Sequence, residues 1–236
     1  MLDQNQKFYI SNEIKTIILD MDGVLVDSEP IHEESFRIFL KRYNVSFTDE
    51  FIHSLVGHSI DNNIQMINQT YLSDNPLEIE KGVRLRDAIY LELLTNKQLV
   101  PMDGIEELVF HCRNQDIRLA LASSSIRIQV DTILTVLSQN SPNKINYQRL
   151  FEVMVSGDEV KHKKPAPDLY RRALKLLNNS ADECLAIEDS EAGILSAKAN
   201  GLYCIALKNK YQKLEQLKSA DYIVDTISEI VRLMKQ

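Results

Sequence analysis

The stretch Ile17-Ile18-Leu19-Asp20-Met21-Asp22-Gly23-Val24-Leu25-Val26-Asp27-Ser28 decides the reading of this chain. Its opening residues form an apolar run that fits a buried strand, and the run ends in two carboxylates with a glycine directly after them. Side chains alternate along a strand, so residues two apart point the same way. Asp20 and Asp22 therefore start from positions that converge on one point just past the strand end. Carboxylates in such a place are costly without a partner charge. A divalent cation suits the role, because hard cations take oxygen ligands. The plainer alternative is a strand-end turn with solvated acids, since Asp and Gly are common turn formers.

The chain has 236 residues, room for one large domain or for a main domain with a smaller one. Hydrophobic residues at 44% and charged residues at 26% fit a packed core rather than a disordered chain. The net charge of −7 runs against duplex binding, which asks for a basic excess. An acidic protein that handles anions must gather positive charge locally, from lysine, a metal or backbone amides. Cys112, Cys184 and Cys204 have no paired spacing and sit in apolar surroundings. They read as buried thiols in a reducing compartment, neither a disulfide set nor a metal site. The opening residues 1–7 are polar and lack a secretory core. No apolar run reaches the ~20 residues of a membrane span. The expectation is a cytoplasmic protein with neither nucleic acid nor membrane as partner.

Buried parallel strands are expected at Thr16 to Asp20, Ile117 to Ser123, Val153 to Ser156, Cys184 to Glu188 and Tyr203 to Leu207, with an edge strand at Tyr222 to Val224. These runs are apolar on both faces, as in a sheet covered by helices on both sides. Between them Ile105, Leu108, Val109 and Cys112 fall at i, i+3, i+4, i+7, as do Tyr170, Ala173, Leu174 and Leu177. Ala192, Leu195 and Ala199 nearly repeat the pattern, with Gly201 where a helix C-cap belongs. The alternation implies an α/β fold with a doubly wound, Rossmann-like parallel sheet, whose ligands bind beyond the carboxyl ends of the strands. Residues 30–99 break the alternation and read almost wholly as helix, with Phe36, Phe39, Leu40 and Tyr43 on one stripe and further patterns at Ile60 to Tyr71 and Ile79 to Leu94. The predicted organisation is a discontinuous core domain of residues 1–29 and 100–236 with an inserted all-helical cap domain, 30–99. Ser138 to Asn143 reads as an exposed polar loop.

Each later strand end carries a polar group. The second strand runs into Ser123-Ser124-Ser125, where a hydroxyl and free amides at a helix start can hold phosphate oxygens; serine is equally suited to cap that helix. Lys161-His162-Lys163-Lys164-Pro165-Ala166-Pro167-Asp168 brings a lysine to a stiff helix entry. Lys164, beside the proline, is the aimed one, while Lys161 and Lys163 read as surface charges. The strand Leu185-Ala186-Ile187 ends in Glu188-Asp189, so four carboxylates, Asp20, Asp22, Glu188 and Asp189, are expected at one sheet edge.

In this order the pieces resemble the four motifs of the haloacid dehalogenase-like hydrolase superfamily. Asp20-Met21-Asp22-Gly23-Val24 is similar to its nucleophile motif, Ser123 to its phosphate-binding hydroxyl, Lys164 to its lysine and Glu188-Asp189 to its metal motif. Asp27-Ser28-Glu29-Pro30-Ile31-His32 and Asp189-Ser190-Glu191-Ala192-Gly193-Ile194 further resemble the helical-cap subgroup of phosphoglycolate-type phosphatases, small sugar-phosphate phosphatases and β-phosphoglucomutase. The resemblance implies a Mg2+-dependent phosphatase of small phosphorylated metabolites. Asp20 would be the nucleophile that forms an aspartyl-phosphate, and Asp22 the acid and base. Ser123, the amide of Ser124 and Lys164 would hold the phosphate. Asp20, the backbone carbonyl of Asp22 and Asp189 would bind Mg2+, with Glu188 a direct or water-mediated ligand. The helical domain is expected to close over the site and exclude water.

Within that domain His58, in Val56-Gly57-His58-Ser59-Ile60-Asp61, is the strong polar candidate for substrate contact, with an exposed loop histidine as the equal alternative; His32 is a candidate at the junction. Arg84 and Arg86 could reach an anion, although arginines on helices are more often solvated. The competing activity is a β-phosphoglucomutase-type transfer back to sugar. Against it, that family has an arginine where Ile60 aligns. Asp22 argues against a dehalogenase, since an acid there serves an oxygen leaving group.

Overall fold

The computed structural model describes residues 13–235; the opening residues read above for a leader lie outside them. The chain divides into two compact units, one of the residues up to Asp27 with those from Val100 on, the other of Ser28–Leu99. No helix among the described residues is long and apolar enough to cross a membrane.

The first unit begins with β1 (Thr16–Leu19). The second follows as α1 (Glu29–Arg42), α2 (Asp49–Ser54), α3 (Ile60–Tyr71) and α4 (Ile79–Asn96), all helical. The first then resumes with α5 (Ile105–Asn114), β2 (Arg118–Ala122), α6 (Arg127–Asn140), β3 (Val153–Val155) and α7 (Asp168–Leu177). It ends with β4 (Cys184–Glu188), α8 (Glu191–Lys198), β5 (Tyr203–Leu207), α9 (Leu214–Leu217), β6 (Tyr222–Val224) and α10 (Ile227–Met234). Six strands form one parallel sheet in the order β3-β2-β1-β4-β5-β6, the expected doubly wound arrangement.

The strands are buried on both faces. Ile18, Ala120, Ala186 and Cys204 pack with Leu169, Tyr170, Ala173, Ile194, Ala197 and Leu217 in one core. The alternate residues Ile17, Leu19, Leu121 and Ile187, which side-chain alternation sends to the other face, are equally inaccessible. Gly201 ends α8 as expected, with φ +75° and its N–H donating to Lys198 O at 2.9 Å. The second unit has its own core of Phe36, Phe39, Leu40, Ile52, Leu55, Ile64, Ile67 and Ile89.

Two expectations change. The first, second and third strands stop one residue before the predicted Asp20, Ser123 and Ser156; Asp20 and Ser123 still donate their N–H to Ile187 O and Val155 O, and it is beyond them that the chain turns into the loops of the site. Ser138 to Asn143 is not an exposed loop throughout. α6 continues to Asn140, since Leu134 and Leu137 extend its buried stripe and Ser138 Oγ bonds back to Leu134 O at 2.7 Å. Ser141 is buried and donates to Glu106 Oε1 at 2.5 Å. The three cysteines are buried and free, as expected.

Candidate active site

Register brings the strand ends together. Leu19 lies between Leu121 of β2 and Ile187 of β4, so the next residues, Asp20, Ala122 and Glu188, stand level on three adjacent strands. Asp20 N–H donates to Ile187 O at 3.0 Å. The chain then turns sharply, with Leu25 and Val26 both donating to Met21 O and Gly23 donating to Val26 O. Gly23 has φ +83°, and a Cβ there would lie 1.8 Å from Asp189 Oδ2. Only glycine meets both the left-handed backbone and the close approach of that carboxylate.

Oxygens of Asp20, Glu188 and Asp189 lie within 4.8 Å of one another. Lys164 enters this group from the loop before α7. Its Nζ lies 2.6 Å from Asp20 Oδ1, 2.6 Å from Glu188 Oε1 and 2.8 Å from Ala122 O. One ammonium thus binds all three level positions. Tyr170, on the buried face of α7, donates its hydroxyl to Glu188 Oε1 at 2.6 Å.

Three carboxylates share one ammonium in a nearly dry place. Burial first, and then the charge of Glu188, push the Asp20 carboxyl up to about 7, against the pull of Lys164. Burial and the charge of Asp20 push Asp189 well above the usual carboxylate range. Burial pulls the Lys164 ammonium down, but Asp20 and Glu188 outweigh it and hold the group above its ordinary value. The second oxygen of Glu188, Oε2, is buried with no hydrogen-bond partner. Buried polar atoms of folded proteins are nearly always satisfied. An orphaned carboxylate oxygen inside an under-neutralised cluster of acids is the donor set a hard divalent cation takes. Gly193 keeps this place open, since a Cβ there would lie 1.8 Å from Glu188 Oε2.

Asp22 adds its charge to that of the three acids, and Ser125 Oγ donates to its Oδ2 at 3.0 Å. Ser123 is fully buried, and its Oγ accepts from Ser125 N at 3.0 Å. The helix cap of α6 is Ile126, so neither Ser123 nor Ser124 caps it. The three serines form the loop between β2 and α6, pinned by Gly157 N–H donating to Ser125 O at 2.8 Å.

The sheet edge therefore gathers Asp20, Asp22, Ser123, Ser124, Lys164, Glu188 and Asp189. Lys161 and Lys163 are exposed, as expected. His32 and His58 belong to the helical unit. His58 is exposed between α2 and α3. His32 stacks on Tyr90 with ring centroids 4.2 Å apart and bonds through Nδ1 to Arg86. Arg86 departs from the solvated arginine expected on a helix. It is 1% exposed, with its guanidinium 4.8 Å from the Phe36 ring and 4.7 Å from that of Tyr90, and it pairs with Asp87 at 3.1 Å. Arg84 is exposed and pairs with Glu80.

Sequence reading passed over Ser125, Tyr170 and Asn209. Tyr170 was legible only as part of an apolar stripe. Asn209 lies in a charged loop after β5 and bonds to Asp189, a link that no sequence spacing signals.

Residues 17–207 match the model of the haloacid dehalogenase-like hydrolase family. The chain is 29% identical over 220 residues to protein CbbY of Rhodobacter capsulatus, covering 92% of this chain and 95% of that protein. It is 26% identical to the validoxylamine A 7'-phosphate phosphatase of Streptomyces hygroscopicus subsp. limoneus, over 92% and 95% of the two chains. The crystal structure of CbbY from Rhodobacter sphaeroides in complex with phosphate superposes with a TM-score of 0.79 at 26% identity, covering 94% of this chain and all of that one.

Proposed function

This chain belongs to the haloacid dehalogenase-like hydrolase family, and we propose that it is a phosphatase that hydrolyses small phosphorylated metabolites with Mg2+ through an aspartyl-phosphate on Asp20. The observation that carries this reading is the single ammonium of Lys164 shared by Asp20 and Glu188, beside an orphaned carboxylate oxygen. That arrangement is dry and short of positive charge. It is suited to a site completed by a cation and a phosphoryl group.

In the first step a carboxylate oxygen of Asp20 attacks phosphorus, and the bond to the leaving oxygen breaks. Asp22 gives its proton to that oxygen, so the alcohol departs neutral. In the second step the ionised Asp22 takes a proton from water. The water oxygen attacks phosphorus, phosphate leaves, and Asp20 is restored. Ser125 holds Asp22 in place through its hydroxyl. Lys164 favours the ionised form of Asp20 and directs its charge, and offsets the repulsion between carboxylate and phosphate. The Ser123 hydroxyl, oriented by the Ser125 N–H that it accepts, and the amide of Ser124 grip phosphate oxygens, the positioning on which phosphoryl transfer mostly depends. Asp20, Glu188, Asp189 and the carbonyl of Asp22 would hold Mg2+, which supplies the positive charge that balances the anionic transition state.

The relatives' names support small phosphorylated substrates. The test is phosphate release from a panel of sugar phosphates and phosphoglycolate, with Mg2+ and with EDTA. Turnover confined to the Mg2+ arm is the expected outcome. Equal turnover in both arms, or none with any phosphoester, would overturn the reading. β-Glucose 1-phosphate belongs in the panel, because its conversion to glucose 6-phosphate without free phosphate marks a mutase instead.

A further inference from the structure

We propose that Asn209 is a positioning residue that locks the carboxylate of Asp189 and so sets the affinity of this site for Mg2+; the inference rests on Asp189 being a ligand of that ion.

Asn209 follows β5, the strand beside β4, and lies 20 residues beyond Asp189. Its Nδ2 donates to Asp189 Oδ2 at 2.9 Å and to Asp189 O at 3.0 Å. One amide group therefore ties the carboxylate to its own main chain, which fixes the side-chain rotamer. The other end of the amide is equally committed. Oδ1 accepts Tyr211 N–H at 2.7 Å and Gln212 N–H at 2.9 Å. A side-chain amide has two donors and two acceptor positions, and all four are used. With its oxygen held by two backbone donors, the nitrogen must face Asp189.

Asp189 needs such a partner. The Lys164 ammonium goes to Asp20, Glu188 and Ala122, and among the described residues the side chain that donates to Asp189 is Asn209. Repelled by Asp20 and Glu188, an untethered Asp189 would swing away. Gly23 closes the other side, where nothing larger than hydrogen fits. A donor neutral in charge orients the acid without competing with a cation for it, as groups hydrogen-bonded to metal ligands do.

The experiment compares wild type, Asn209→Ser, Asn209→Ala and Asp189→Asn. Mg2+ affinity is measured by calorimetry without substrate, and thermal unfolding is measured in EDTA. Serine can still accept from the loop N–H groups but is too short to reach Asp189. The expected result is a Mg2+ dissociation constant raised about 10-fold or more in both Asn209 variants, with the Asn209→Ser unfolding midpoint in EDTA matching wild type. An Asn209→Ser affinity within about twofold of wild type, below the span such partners control, would overturn the inference if Asp189→Asn has lost binding. So would an affinity loss that tracks a lowered midpoint in EDTA, since that marks a structural role. Wild-type affinity in Asp189→Asn would instead remove Asp189 from the ligand set and bring down the underlying reading.

Discussion

The ammonium of Lys164 lies 2.6 Å from Oδ1 of Asp20, a contact that spans 144 positions of sequence. The same nitrogen bonds Glu188 and the carbonyl of Ala122, so it ties the carboxyl ends of β1, β2 and β4 together. Breaking a buried ion pair from one side strands the other charge. Lys164→Met is therefore expected to destabilise the protein by about 3–5 kcal/mol at pH 8. The loss should shrink at pH 5, where Asp20 is neutral. Chemical denaturation at the two pH values in EDTA checks this, and a loss independent of pH would count against the charge argument.

The Asp20 carboxyl itself gives a second expectation, again in EDTA. Its folded value of about 7 lies above the unfolded one, first because of burial. Between the two values the folded state binds more protons, so stability from this group is greatest at low pH and falls as pH rises towards about 7, then levels off. Asp20→Asn removes the titration. The unfolding midpoint of wild type should drop relative to that variant from pH 5 to pH 8, and parallel profiles would refute the assignment. Added Mg2+ should raise the wild-type midpoint most at the higher pH, where Asp20 is ionised.

Gly193 sits inside α8, where alanine is normally favoured by about 1 kcal/mol. Here a Cβ would overlap the buried Glu188 carboxylate. Gly193→Ala is expected to reverse the usual sign and cost about 1–3 kcal/mol, the range for overpacking. It should also weaken Mg2+ binding. A stabilised variant with unchanged Mg2+ affinity would show that Glu188 is free to move.

How far the sequence carried depends on what each residue does. The strands were legible because Ile17, Ile18, Ala186 and Ile187 are apolar on both faces, a pattern that only a twice-covered sheet explains. The acids were legible because they follow those strands directly. Ser125, Tyr170 and Asn209 were not, since each acts on a partner brought close only by folding: Asp22, Glu188 and Asp189. Arg86 reads like any helical surface arginine. Its burial depends on Phe36, Tyr90 and His32, from other turns of the helical unit.

Cys112 and Cys184 carry thiols pushed up by burial to about 12 and about 11, and Cys204 is raised also. The thiolate is the reactive form. At pH 8 the native protein should show no fast reaction with a disulfide reagent, and three thiols should react once it is unfolded. Rapid native labelling would contradict their burial.

The central claim is that phosphate passes through Asp20, and it can be caught there. An activated phosphate such as acetyl phosphate needs little acid help to leave, so Asp22→Asn should still form the intermediate while its hydrolysis slows about 10²–10⁴-fold, the usual share of general base catalysis. Acid quench of that variant with 32P-labelled acetyl phosphate and Mg2+, then peptide mapping, is the direct measurement. The account predicts label on the peptide holding Asp20, released by hydroxylamine as an acyl phosphate must be. It predicts none in Asp22→Asn that also carries Asp20→Asn. Label that survives hydroxylamine, or that persists without Asp20, would contradict it.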